Sequence, residues 1–150
     1  MVRDSSAFVN DFRSLILIYK HYPFVSTTIG SEVDQIEFKP VASDQCYLSI
    51  SLDSDANMQI LVDSSGTFDN LAYDTSVVTD VIDDVLHGNV SKKEIILCGM
   101  VCSVKLVLLR SKLVHRSTNP WLLPMLLFTK RIVVETRFQS YLGNSAAGLD

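Results

Sequence analysis

Val77, Val78, Val81, Ile82, Val85 and Leu86 fall at i, i+1, i+4, i+5, i+8 and i+9, a continuous apolar stripe along one side of a helix. Thr75 or Asp74 stands at the start as a cap, where a carboxylate also suits the helix dipole. Gly88 follows the last periodic residues and fits the left-handed position after a helix. The spacing therefore predicts a helix over 75–87, with Asp80, Asp83 and Asp84 on its opposite, solvent-facing side. The same period recurs at 8, 9, 12, 15, 16 and 19, which predicts a first helix over 5–21. Ser5 or Ser6 caps it, Pro23 ends it, and its apolar face is suited to packing on a sheet.

Elsewhere the period is two. Val33, Ile36 and Phe38 among polar neighbours predict a strand over 32–39. Cys46, Leu48, Ile50 and Leu52 alternate with Tyr47, Ser49 and Ser51, a strand with one wet face. "DSDAN" (53–57) has turn composition and "MQILV" (58–62) reads as the returning strand, so 46–62 is expected to be a hairpin. "DSSGTFDN" (63–70) reads as a second turn cluster. In the stretch 92–116, Val104, Leu106 and Leu108 alternate with Lys105, Val107 and Leu109. That suits a strand buried on most of both faces, with a helix over 104–114 as the competing reading, and Gly99 marks a bulge or bend between two strands. Residues 117–124 form a proline-bounded loop, 130–142 a final strand and 143–150 a frayed tail. No repeat, low-complexity tract or linker divides residues 1–150, so one domain is expected. The order α-β-β-β-α-β-β-β points to an α+β fold. We expect a mostly antiparallel sheet of about five to six strands with both helices on one face.

Composition changes this picture little: 47% hydrophobic and 20% charged residues suit a globular chain and exclude wholesale disorder. Three cysteines, Cys46, Cys98 and Cys102, are too few for a disulfide framework and fit a reducing compartment. The pair 98 and 102 would point to one face of a strand as two buried thiols. "MVRDSSAFVNDF" lacks the basic-then-apolar run of a secretion signal. "IILCGMVCSVKLVLL" (95–109) is interrupted by Lys105 and falls short of the roughly 20 apolar residues a membrane helix needs. A cytoplasmic protein is expected.

Charge is where the sequence departs from the ordinary. Residues 1–90 carry 14 acidic and 4 basic side chains, whereas residues 91–150 carry 3 acidic and 9 basic. From Pro40 to Ser91 there is no lysine or arginine against nine aspartates. Ordinary surfaces mix signs, and an uncompensated negative surface draws and selects a basic partner. The candidate partner-binding residues are accordingly Asp53, Asp55, Asp63, Asp69 and Asp74 in turns, with Asp80, Asp83 and Asp84 on the second helix.

Catalytic chemistry has no comparable signal. Asp53-Ser-Asp55-Ala-Asn57 begins like a calcium loop, but the glycine and glutamate such a loop requires at its sixth and twelfth positions are Met58 and Ser64. His21, His87 and His115 fall in no metal-binding pair, and no nucleophile elbow, phosphate loop or dinucleotide fingerprint is present. His87 sits in the last turn of the second helix, where the dipole favours a cation. We expect no enzyme activity, no cofactor and no metal.

The stretch "VIDDVLHGNVSKKE" resembles the helix-turn-strand junction of several immunity proteins of bacterial toxin–immunity pairs, of the contact-dependent growth inhibition type. The resemblance extends to the size and layout of the whole chain. It implies a cytosolic, non-catalytic protein that binds a cognate toxin stoichiometrically, often a nuclease whose basic cleft would meet the aspartates. A gene directly downstream of a large toxin gene would mark such a protein. The alternatives are nucleic-acid binding through Lys105, Arg110, Lys112, Arg116, Lys130, Arg131 and Arg137, an accessory subunit, a small ligand-binding domain or enzyme, and pairing of basic and acidic faces in a homodimer.

Overall fold

A computed structural model describes residues 5–143. The part of the expected tail after Gly143 lies outside the described residues. The chain folds as helix α1 (Ser5–Tyr19), strands β1 (Val25–Ile29), β2 (Val33–Phe38), β3 (Leu48–Asp53), β4 (Asn57–Val62) and β5 (Gly66–Ala72), then helix α2 (Thr75–His87). Strands β6 (Val90–Leu97), β7 (Met100–Leu108) and β8 (Val114–Thr118), a short 3-10 helix (Leu123–Leu127) and β9 (Ile132–Arg137) follow.

The fold is α+β, as the element order implied, and its strands divide between two antiparallel sheets. Sheet 1 is the meander β1-β2-β3-β4-β5 and sheet 2 has the order β8-β7-β6-β9. The cluster 63–70, expected as a turn, turns only at its start: β5 begins at Gly66 and pairs with β4. Its turn-forming composition reflects Asp63, which adopts φ 52° and accepts a hydrogen bond from Ser65. Residues 104–114 take the strand reading, since β7 runs to Leu108 and β8 returns from Val114. Cys98 and Gly99 form the β6–β7 turn with φ 51° and 76°, so Cys98 is exposed while Cys102 is buried. The two thiols do not share a buried face, because a turn falls between them.

Sheet 1 owes its core to period-two alternation read across strands. Ile36 faces Ile50, which faces Ile60, and Phe38 faces Leu48, which faces Val62. All six are essentially inaccessible to solvent. Phe12, Leu15 and Ile16 from α1 and Val78, Val81, Ile82 and Val85 from α2 join them in one cluster, so both helices cover the same face. The α2 boundaries follow the expected signals: Asp74 accepts a hydrogen bond from the Ser76 amide at 2.8 Å, and Gly88 adopts φ 72°. A Cβ at Gly88 would lie 2.7 Å from the Phe138 carbonyl, so a larger residue is excluded by position as well as by backbone.

Sheet 2 is held at one end. Val90, Leu106 and Leu108 enter the main core, while Leu97, Cys102 and Leu122 form a small separate cluster with Met125 packed against it. The sheets approach closely at Gly66, where an added Cβ would meet the Leu106 side chain at 2.5 Å. Lys92 crosses the gap to Asp63 at 3.0 Å.

Candidate functional site

The eight aspartates chosen from the sequence do not form one surface. Asp84 is fully buried, which corrects its expected solvent-facing position. Its carboxylate accepts hydrogen bonds from the backbone amides of Arg110 and Ser111 and from the Ser111 hydroxyl, at 2.8–3.1 Å. The helix thereby anchors the turn between β7 and β8, and a buried carboxylate is tolerated because those donors replace water. Asp83, half-buried, meets the Arg110 guanidinium at 2.9 Å, with Asp80 3.8 Å from the same group. Period 3.6 placed Asp80 and Asp83 opposite the apolar stripe, but at 100° per residue it sets Asp84 about 20° from Val77, at the edge of the stripe. It could not show that the later β7–β8 hairpin folds back over that side.

The turn aspartates are similarly engaged. Asp63 pairs with Lys92. Burial works against the Lys92 ammonium, but the hydrogen bond and charge of Asp63, together with those of Glu94, outweigh it and carry the lysine pKa upward. Asp53 accepts from the Asp55 and Asn57 amides and from the Asn57 side chain, and these bonds, the Asn57 amide first, hold its carboxyl below the usual range. The calcium-like stretch is thus a self-contained Asx turn. Asp74 caps α2, Asp69 accepts from Gln59 at 2.6 Å, and Asp55 is exposed at the hairpin tip. Among the eight, Asp53 and Asp69 come together, lining a shallow depression of about 390 Å³ on the outer face of sheet 1.

A second depression, about 330 Å³, lies between α1 and the β1–β2 turn. Its charged centre is already satisfied: Arg13 donates to both Asp34 oxygens, at 2.7 and 3.3 Å, and to the Gly30 carbonyl, while Asp34 also accepts from the Gly30 amide. No histidine or cysteine is among the described residues lining it. The histidines are placed elsewhere: His21 lies tilted against the Tyr22 ring, His115 meets the Phe68 ring edge-on, and His87 donates from Nδ1 to the Asp83 carbonyl.

The basic third of the chain is organised more sharply than the acidic region. In the register of sheet 2, Arg116 on β8 lies opposite Lys105 on β7, Lys105 opposite Lys93 on β6, and Lys93 opposite Glu135 on β9. Residues opposite one another share a face, so three cations stand in one row across three strands, all exposed. Lys93 reaches Glu135 at 3.4 Å, both groups well exposed. Among the described residues Lys105 and Arg116 make no ion pair of their own. Arg137, two residues from Glu135 on the same face, lies with Lys93 and Lys105 around a depression of about 280 Å³.

Elsewhere on β9 and the segment before it, apolar side chains are left uncovered by the described residues. Ile132, Val133 and Val134 on β9 are 58%, 44% and 37% exposed, and Trp121, Leu127 and Phe128 beside the 3-10 helix exceed 80%. Sequence reasoning passed over both features. The row depends on register, which no single strand displays, but the apolar run "IVV" between charged residues was visible as a strand apolar on both faces. No described helix is long and apolar enough to cross a membrane. Comparison with protein-family models, with curated proteins and with solved structures finds no match to this chain.

Proposed function

We propose that this chain is a non-catalytic protein-binding module of the cytoplasm that engages an acidic partner through the outer face of sheet 2. The observation that carries this reading is the row Arg116–Lys105–Lys93. Like charges directly opposite on neighbouring strands destabilise the free sheet, and an apposed line of carboxylates converts that repulsion into attraction. The three free thiols accord with a reducing compartment. An immunity-type role, in which the chain blocks a toxin by occupying it, falls within this reading, with the toxin contributing acidic rather than basic groups. A nucleic acid is a poorer fit, because the residues flanking the row are Ser91, Ile95, Ser103, Val107, Val114 and Thr118, with no aromatic platform for bases.

Direct titration with poly-glutamate, poly-lysine and duplex DNA tests the assignment. Poly-glutamate should bind with an affinity that falls as salt rises, and replacing Lys93, Lys105 and Arg116 with glutamate should abolish binding. Stronger binding of DNA than of poly-glutamate would transfer the face to nucleic acid. The depression holding Asp53 and Asp69 supports a second reading, an acidic contact for a basic partner. Poly-lysine binding that disappears when Asp53, Asp55 and Asp69 become asparagine would establish it instead.

A further inference from the structure

The free edge of sheet 2 has a property that its outer face does not explain. Strand β9 ends the sheet, and from Ile132 to Arg137 its far side pairs with nothing among the described residues. Beyond the strand the same edge is closed: the Gln139 amide donates to the Asp44 carbonyl at 2.8 Å. The Phe138 amide donates to the Val90 carbonyl, so even-numbered residues of β9 bond toward β6. Because main-chain groups alternate sides along an antiparallel strand, the N–H and C=O groups of Val133 and Glu135 point outward. A long apolar edge with open backbone groups is a template for another strand.

The segment "RIVVE" (131–135) is its own complement when run antiparallel to itself about Val133. In that register Val133 faces Val133 of a second copy, Ile132 faces Val134, and Arg131 faces Glu135, the last two pairs occurring twice. Every outward-pointing backbone group from Arg131 to Glu135 gains a partner. The row Ile95–Val133 continues across the dyad into the copy's Val133 and Ile95. Glu135, already 3.4 Å from Lys93 on one side, receives an arginine on the other. A shift of one residue either way sets outward-pointing backbone groups opposite inward-pointing ones, and a shift of two sets Arg131 opposite either Arg137 or Val133 and Glu135 opposite either Val133 or Thr129, so the match is lost.

We infer that the chain forms a two-fold homodimer by antiparallel pairing of β9 with β9 centred on Val133, joining two copies of sheet 2 into one continuous sheet. Such a contact is isologous and closes on itself, so it stops at two copies. It leaves the cation row on the outer face free in both protomers.

Sedimentation velocity of the full chain over a concentration series up to about 100 µM reads the association directly. The wild type should sediment as a monomer–dimer equilibrium. Arg131→Glu and Glu135→Arg should each weaken the dimer about tenfold or more, since each places like charges opposite one another twice. The double variant should restore it, because the pair is merely exchanged. Reversal of Lys105 and Arg116 to glutamate should leave the dimer intact, which separates this contact from the partner face proposed above. A wild-type monomer throughout, assemblies that grow beyond two copies, single variants that dimerise normally, or a double variant that stays monomeric would each overturn the inference.

Discussion

The two sheets are built from similar strands and treat them in opposite ways. In sheet 1 the inward rows of β2–β4 are apolar except at Asp34, which Arg13 neutralises, and both helices lie on them, while the outward face carries Glu37, Ser49, Ser51 and Gln59. In sheet 2 one end reaches the common core, and the rest holds Leu97 and Cys102 under a short crossing segment and leaves β9 exposed along its length. The charge asymmetry of the sequence maps onto this division, since residues 25–72 build the first sheet and 90–137 the second. One sheet is a foundation. The other presents cations and apolar edges that the described residues do not cover, which is where surface exists to be used.

Thiol labelling gives the largest contrast between the two. Cys46 is buried among sheet 1 residues, whereas Cys98 is exposed at the tip of the β6–β7 hairpin. Cys98 should react in the native state and Cys46 only on global opening, a rate ratio of about 10³ or more. Comparable rates in a timed alkylation experiment would mean that sheet 1 opens locally. Burial first, and then the Asp63 charge, push the Cys46 thiol from 9.0 up to about 12. The unfolded chain therefore ionises this thiol first, so its contribution to stability is complete below pH 9 and is lost as pH rises toward 12. Denaturant midpoints across that range should fall for the wild type and fall less for Cys46→Ala.

Core truncations come next. Ile60→Ala or Ile82→Ala should cost about 2–5 kcal/mol in chemical denaturation, because each leaves a cavity among residues that cannot collapse around it. Leu97→Ala removes a buried side chain from a cluster of three buried residues and should sit at or below the lower end of that range, about 2 kcal/mol. Equal losses would show that sheet 2 is as firmly built as sheet 1.

These positions also mark what the sequence made legible. The α2 stripe, its caps and the β3–β4 hairpin were readable because each depends on residues within a few positions of one another. The existence of β5 was missed because the glycine, asparagine and aspartates of its turn-like composition outweighed Phe68 and Leu71. Register between distant strands has no local signature, so the row Arg116–Lys105–Lys93 could be seen only as scattered basic residues. Asp84 failed for the same reason: its partners, Arg110 and Ser111, lie 26 and 27 residues away.

Asp84 supplies the next test, since it ties the helix layer to sheet 2. Asp84→Ala strands the amides of Arg110 and Ser111 and should cost about 1–3 kcal/mol. Asp83→Ala loses only an exposed ion pair, about 0–1 kcal/mol. If the two were equal, the anchor would not couple the sheets. Tyr141→Phe should fall between them, at about 1 kcal/mol, because the buried hydroxyl donates to the Cys46 carbonyl at 2.7 Å.

The smallest effect is the most diagnostic, because its sign is opposite to that of an ordinary mutation. Lys105 stands between Lys93 and Arg116, and each neighbour repels it. Lys105→Glu replaces two repulsions by two attractions across the strands. It should therefore stabilise the free protein by about 0.2–1 kcal/mol at low salt, with the gain shrinking as ionic strength rises. The reverse substitution at Glu135, where opposite charges already face each other, should destabilise: Glu135→Lys sets two lysines side by side. Thermal denaturation of both variants at two salt concentrations measures the difference. A row retained for binding rather than folding predicts that Lys105→Glu gains stability and loses poly-glutamate affinity together. Loss of both would place the lysine in the structural class, and sheet 2 would no longer differ from sheet 1 in how its charges are used.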